Sequence, residues 1–209
     1  MLARFLDLLA DLRAVTPPDA EFLYDEATPE GALRLGNLRR YLELAAGATT
    51  LLVGEAPGWR GATITGVPFM SVRELTARPG LLTGEPDGDG FTAPPDPAAA
   101  WELSASIVQK ACRSWPVQPL HWPVYPNHPF RAPDRATNRA PRVPEVLAGA
   151  PLAVELVRAL DIRRVVAVGR KAEHALAAAG IAATAVRHPA QGGAALFAAQ
   201  MAALGREPV

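Results

Sequence analysis

Two short segments, far apart in the chain, hold residues that can do chemistry. The first is Gly54-Glu55-Ala56-Pro57-Gly58, followed by Gly66-Val67-Pro68-Phe69. A strand that ends in glycine and enters a turn with proline exposes backbone N–H groups at its end, and such groups can hold a water or an anion. Phe69, between Pro68 and Met70, is a ring that can stack on another planar ring. The second segment is Arg187-His188-Pro189-Ala190-Gln191-Gly192-Gly193. It follows a strand-like run and precedes a helix-like one, which puts His188 at or just before a helix N-terminus. The helix dipole disfavours an imidazolium there and lowers the histidine pKa. A neutral imidazole N–H suits an oxygen that gains negative charge in a transition state. Gly192 and Gly193 leave room for a phosphate at the helix start. Plain structure also uses these residues, as a strand-to-loop turn, a core phenylalanine and a capping histidine. The pairing of GEAPG with GVPF at this spacing is more specific than either alone.

The elements around these segments have to bring them together. TTLLVG at 49–54 is a short apolar, β-branched run of the kind a buried parallel strand needs. Helical patterning covers 33–46, 100–114, 144–160, 170–179 and about 192–204. Further strands are expected at 120–126, 163–169 and 182–187, with Pro123 forbidding one ladder hydrogen bond in the first. Residues 76–97 and 127–144 read as long loops rich in proline with glycine or arginine. Strands alternating with helices over short connections indicate βαβ units and a parallel sheet with helices on both faces. In such sheets ligands bind at the carboxyl ends of the strands. The turns after 49–54, 120–126 and 182–187 are therefore expected to converge on one crevice, with Phe69, Glu55 and His188 lining it.

Composition bounds the partners. A chain of 209 residues suffices for one domain with a full core and is short for two, since domains run roughly 100–200 residues. No apolar run approaches the ~20 residues that span a bilayer. The N-terminal segment, with Leu2, Phe5, Leu6, Leu8, Leu9, Leu12 and Val15 on one face, reads as an amphipathic helix and not as a signal peptide. With Cys112 alone, neither an internal disulfide nor an all-cysteine metal or cluster site can form, and a reducing cytoplasm is the natural home. The four histidines show no helical pairing of a zinc type, so neither metal nor cofactor is expected. The formal net charge is zero. A protein that clamps long duplexes usually carries a basic surplus. Any nucleic-acid footprint is therefore small, or its charge is gathered locally. The stretch 131–142 carries four arginines against one aspartate, and Arg135 and Arg139 are its candidates for contact with a phosphate backbone.

Taken together, the two segments resemble the uracil-DNA glycosylase superfamily, which pairs a first motif of the form GE-A-PG…G-x-PF with a later HPS. The resemblance spans roughly 49–200 and is closest to bacterial single-domain members related to the iron–sulfur type. It implies a three-layer α/β/α sandwich with a central, mostly parallel four-stranded sheet, formed by 1–209 as a single domain. It also implies a monomer that binds DNA with one base flipped out. By position, Phe69 would stack on that base and His188 would donate to uracil O2. Glu55 and Ala56 would hold the attacking water, with Gly54, Pro57 and Gly58 shaping the turn. Cleavage of the glycosidic bond leaves a base anion and an oxocarbenium-like sugar, which calls for this donor, this water and this pocket.

The sequence departs from that pattern at several positions. Ala56 stands where the most active members carry Asp and the mismatch-specific members carry Asn. Ala190 replaces the usual Ser of the second motif, and the cluster cysteines are absent. Related chains read W-N-A-x-P-x-H-P where this one has Trp122-Pro123-Val124-Tyr125-Pro126-Asn127-His128-Pro129, so the base-reading Asn becomes Pro123. Asn127, four residues on, is the remaining amide candidate, and Gln191 or the 76–97 loop is a candidate wedge. A glycosylase for uracil or a related deaminated base is the first expectation. A nucleic-acid-binding or damage-sensing member with weakened catalysis and an α/β enzyme acting on a free nucleotide are the alternatives.

Overall fold

The computed structural model describes residues 2–208. Helix α1 (Ala3–Asp11) runs into a 3-10 turn at Leu12–Val15, and β1 (Ala20–Glu21), α2 (Pro29–Leu44) and β2 (Thr50–Gly54) follow. Two single-turn helices, α3 (Ala62–Thr65) and α4 (Val72–Leu75), precede α5 (Leu103–Cys112), β3 (Leu120–Pro123) and β4 (His128–Pro129). The chain then alternates: α6 (Val143–Ala159), β5 (Arg164–Val168), α7 (Arg170–Ala178), β6 (Thr184–Val186) and α8 (Ala194–Leu204). Four parallel strands form the central sheet in the order β3-β2-β5-β6, as the alternation implied.

Side-chain alternation along the strands builds two cores. Leu51, Val53, Val165 and Ala167 point to one face, where α1, α2, α6 and α7 cover them. Leu52, Val166 and Val168 point to the other, against α5 and α8 through Val108, Cys112, Phe197 and Met201. This is the three-layer sandwich: strands buried on both faces have to be apolar at every position, which is why they read as continuous runs.

Several boundaries differ from the sequence expectation for physical reasons. Helix α2 begins at Pro29, not at 33: the Thr28 side chain accepts from the Gly31 N–H at 3.1 Å, and Pro29 fits a first turn that has no use for its missing donor. Within the 127–144 loop, β4 pairs antiparallel with β1, a two-residue ribbon too short for any periodic signal. Pro123 costs no ladder bond. Strand β3 is the sheet edge, the Val124 N–H reaches the Gly54 carbonyl at 2.9 Å, and the position of the missing Pro123 donor faces outward. Two residues earlier on that outer side, the His121 N–H is satisfied by the Tyr41 hydroxyl at 2.6 Å.

Buried polar side chains pin the loops that approach the sheet's carboxyl end. Asn37, 2% exposed, donates to the carbonyls of Thr65 and Thr92 and accepts from the Thr92 N–H, so it ties the 76–97 loop to α2 and α3. Asp89 organises the same loop by accepting from the Leu82 and Thr83 N–H groups. The arginine-rich loop is held by an ionic knot. Arg139 donates to Asp19 (3.0 Å) and Glu145 (2.5 Å), and Arg142 donates to the same two carboxylates, to Asp19 through its guanidinium and to Glu145 through its backbone N–H.

The Arg142 guanidinium, then Arg139 against the opposing effect of burial, holds the Asp19 carboxyl down to about 2. Burial pushes Glu145 up, but the bonds from Arg139 and the Arg142 N–H outweigh it and leave its pKa low. Carboxyls whose folded pKa is depressed contribute stability above their ordinary range and lose it as pH falls. Arg139→Ala strips the counter-charge from a nearly buried Glu145 and should destabilise the protein by about 2 kcal/mol or more at neutral pH. That gap should shrink as pH falls from 3.8 towards about 2. Arg135, whose side chain is 71% exposed, should cost no more than ~0.5 kcal/mol on conversion to Ala. Urea unfolding of both variants across this pH range measures the difference, and equal midpoints would refute the structural role given to Arg139.

Candidate active site

The turns after β2, β3 and β6 do converge. They enclose a cleft of about 280 Å³ lined by Gly54 through Gly58, Phe69, Pro123 and His188, with Glu102, Ser104, Asn138 and Arg139 completing the wall. Ligand pockets run roughly 300–1,000 Å³, so this one suits a small planar group.

Phe69 is fixed with unusual care. Its φ of 52° lies in the left-handed region, rare for a residue with a Cβ. Its carbonyl accepts from Gln109 Nε2 at 3.0 Å. On either side, Thr65 Oγ1 donates to the Met70 carbonyl and the Tyr24 hydroxyl donates to the Gly66 carbonyl. The ring lies against Gly54 so closely that a Cβ there would sit 2.6 Å from Cζ. Behind it, His121 meets the ring edge-on at 5.7 Å, and burial pushes that histidine down to about 4, so it is neutral. Strained backbone held by several independent bonds is a feature of functional sites.

His188 is neutral, though for a different reason from the one the sequence suggested. Helix α8 begins only at Ala194, six residues on, so the dipole does not act on the ring at close range. Burial is what lowers its pKa, with Arg187 and Lys171 assisting and Glu55 opposing. The Ala190 N–H donates to His188 Nδ1 at 3.1 Å. An Nδ1 that accepts cannot carry the proton, so the neutral ring holds it on Nε2 and that nitrogen is the donor. Gly169, at φ +86°, backs the ring: a Cβ there would lie 3.1 Å from the His188 Cβ.

Glu55 lines the cleft with one oxygen committed, Oε1 accepting from Lys171 Nζ at 2.9 Å. The carbonyls of Gly54 and Glu55 accept from Val124 and Tyr125 N–H, continuing the β2–β3 ladder beyond Pro123. Ala56 brings no polar atom of its own side chain to the wall.

Five expected site residues take other roles. Asn127 is fully buried, donating to Thr16 Oγ1 at 2.8 Å and to the Tyr125 hydroxyl, and does not line the cleft. Gly192 and Gly193 do not line it either. Gly193 is a packing position, because a Cβ there would overlap the His188 carbonyl. Gln191, at φ +53°, lines a second, adjoining cleft with Lys171 and Arg187. Arg139 reaches the wall of the first cleft, but its guanidinium is consumed by the ionic knot, so it is not a free phosphate ligand. Arg135 is exposed, with its guanidinium 5.7 Å from the centre of the Phe130 ring.

The structure adds residues that sequence reasoning missed. Asn138 Oδ1 accepts from the Trp59 N–H at 3.0 Å and thereby ties the arginine-rich loop to the GEAPG turn. His128 does the same, its two ring nitrogens each 3.0 Å from a carbonyl, that of Pro57 and that of Arg135. Glu102 and Ser104 enter the cleft from the start of α5, in a stretch whose only visible signal was helical periodicity. Among the described residues no helix is long and apolar enough to cross a membrane.

No family model matches the sequence, and no curated protein matches it. Among solved structures, the chain is similar to the crystal structure of wild-type SMUG2 from Pedobacter heparinus. The two share 14% identity and superpose with a TM-score of 0.62, over 97% of this chain and 99% of the other. The likeness establishes a shared α/β fold across nearly the whole length of both chains.

Proposed function

We propose that the cleft receives a single base extruded from DNA and hydrolyses its N-glycosidic bond, acting on uracil or a related deaminated base. The observation that carries this reading is the orientation of His188, whose neutral ring is left with its proton on Nε2 by the Ala190 N–H. The resemblance of the two motifs to the uracil-DNA glycosylase superfamily and the fold shared with SMUG2 support it. So does the held Phe69, a ring surface at the cleft for a base to stack on.

In this mechanism the bond between C1′ and the base nitrogen breaks with its electron pair passing into the base. Negative charge gathers on the base oxygen, and His188 Nε2–H donates a hydrogen bond to it. A water attacks C1′, forming the new C–O bond, and its proton leaves through the Glu55 carboxylate to solvent. Stacking on Phe69 offsets part of the cost of taking the base from the helix. Arg135 and Arg187 are exposed cations available to phosphates. One preorganised donor to a developing anion is worth about 100-fold or more in rate. His188→Ala should therefore lower abasic-site formation by at least that factor on whichever of uracil, hypoxanthine or xanthine oligonucleotides the wild type cleaves. A wild type that forms no abasic site on any of them overturns the enzymatic reading.

One observation favours a second reading, a base-sensing protein with weak catalysis. Ala56 supplies no carboxylate, and Glu55, the acid beside it, is charge-paired with Lys171. Ala56→Asp separates the two readings. If water activation is what limits the rate, excision should rise and gain a dependence on pH as the new carboxylate titrates. An unchanged background rate with retained DNA binding would favour sensing.

A further inference from the structure

Glu102 is a carboxylate that neither the fold nor the proposed cleavage step uses. It occupies the N-cap of α5 in extended backbone, a position that favours Ser, Thr, Asp or Asn because their side chains accept from the first turn. The Glu102 side chain makes no capping bond. It turns into the cleft instead, on the wall shared with Phe69 and His188.

Its seat there is built for it. A Cβ on Gly58 would sit 2.5 Å from Oε1, and one on Gly61 would overlap Oε2, so the carboxyl lies flat across two glycines. Ser104 Oγ donates to Oε1 at 2.9 Å and fixes the group's orientation. No donor among the described residues meets Oε2, and none of the ion pairs includes this carboxyl. Burial raises its pKa, with Ser104 opposing and the charge of Glu74 adding to the rise.

Of the other polar side chains of the cleft, His188 and Glu55 already serve the proposed cleavage step, Asp19 and Glu145 hold Arg139, and Asn138 has its oxygen on the Trp59 N–H, which leaves it an amide donor and not an acceptor. Pro123 supplies no side-chain donor or acceptor. A pocket that distinguishes bases needs a polar atom aimed at a base edge, because an apolar wall discriminates weakly between flat rings of similar size.

We propose that Glu102 is the residue that reads the base, its free oxygen accepting the ring N–H of a lactam edge: N3–H of uracil or N1–H of hypoxanthine. This rests on the base-binding reading above and assigns that pocket's substrate class. Bases with the N–H beside a carbonyl enter, and the same bases methylated at that nitrogen do not.

The test uses fluorescence anisotropy with single-stranded oligonucleotides carrying one 2′-fluoro-deoxyuridine, whose fluorine slows cleavage by disfavouring the sugar cation. The base is either unmodified or methylated at N3. Wild type should prefer the unmodified base by 10-fold or more. Glu102→Ala should reduce that preference to within about threefold, with overall affinity for the methylated strand unchanged. The wild-type preference should weaken as pH falls and the carboxylate, its pKa raised by burial, takes up a proton. Glu102→Gln keeps an acceptor oxygen and the shape of the group, so it should retain most of the preference and lose that pH dependence. Melting curves establish that both variants are folded, and the Gln variant carries the test if the Ala variant is not. A preference that persists in Glu102→Ala, or a Gln variant with unaltered pH dependence, overturns the assignment and leaves base binding intact. A wild type that holds neither strand better than the same strand with cytosine, which has no ring N–H, at that position overturns the base-binding reading, and this proposal with it.

Discussion

The contact on which the site depends is the one between Gly54 and Phe69. Strand β2 ends in a residue without a side chain, and the aromatic ring, fifteen residues on, occupies the space a Cβ would have needed. To reach it, the chain turns through α3 and holds Phe69 in left-handed backbone. Buried bonds from Gln109, Thr65 and Tyr24 fix the segment on three sides, and Asn37 ties α3 to the long loop that follows. A ring placed in this way has lost its motional freedom before any ligand arrives, which is how a stacking surface gains affinity.

The opposite wall is organised by the same principle of close backbone approach. Gly169, at positive φ, follows β5, Gly193 closes the turn before α8 where a Cβ would overlap the His188 carbonyl, and His188 is packed against both. The imidazole is therefore fixed by packing, its tautomer by one backbone N–H and its charge by burial. Helix α8 serves mainly to fill the second core through Phe197 and Met201. The third wall, from the loop beyond β4, is anchored by the knot of Asp19, Arg139, Arg142 and Glu145. In a protein with no net charge, much of the local basic surplus is thus spent on structure.

Much of this was legible in the sequence because it is periodic or punctuated. Continuous apolar runs ending in glycine marked β2 and β5, and the helix-strand alternation marked a parallel sheet whose turns meet at one end. GEAPG, GVPF and HPAQGG were legible as turns with chemistry. What escaped has no local signature. The β1–β4 ribbon spans two residues per strand and exists only through pairing across a hundred residues of chain. The direction of the Glu102 side chain depends on glycines at 58 and 61, in another element. Arg139 looked like a free cation because one partner, Asp19, lies 120 residues away in sequence and the other, Glu145, sits at a spacing that matches no helical pair. Asn127 looked like an amide for base reading, but the chain reverses at β4 and buries it against Thr16.

The central claim is that a base leaves its stack and enters the cleft against Phe69. The most direct measurement places 2-aminopurine next to a 2′-fluoro-deoxyuridine in a duplex and follows its fluorescence as protein is added, with anisotropy reporting binding on the same sample. Extrusion of the neighbouring base unstacks the probe, so emission should rise in step with binding and reach a plateau with it. Saturated binding without any rise in emission would show that the protein holds DNA with every base in place, and would contradict the account.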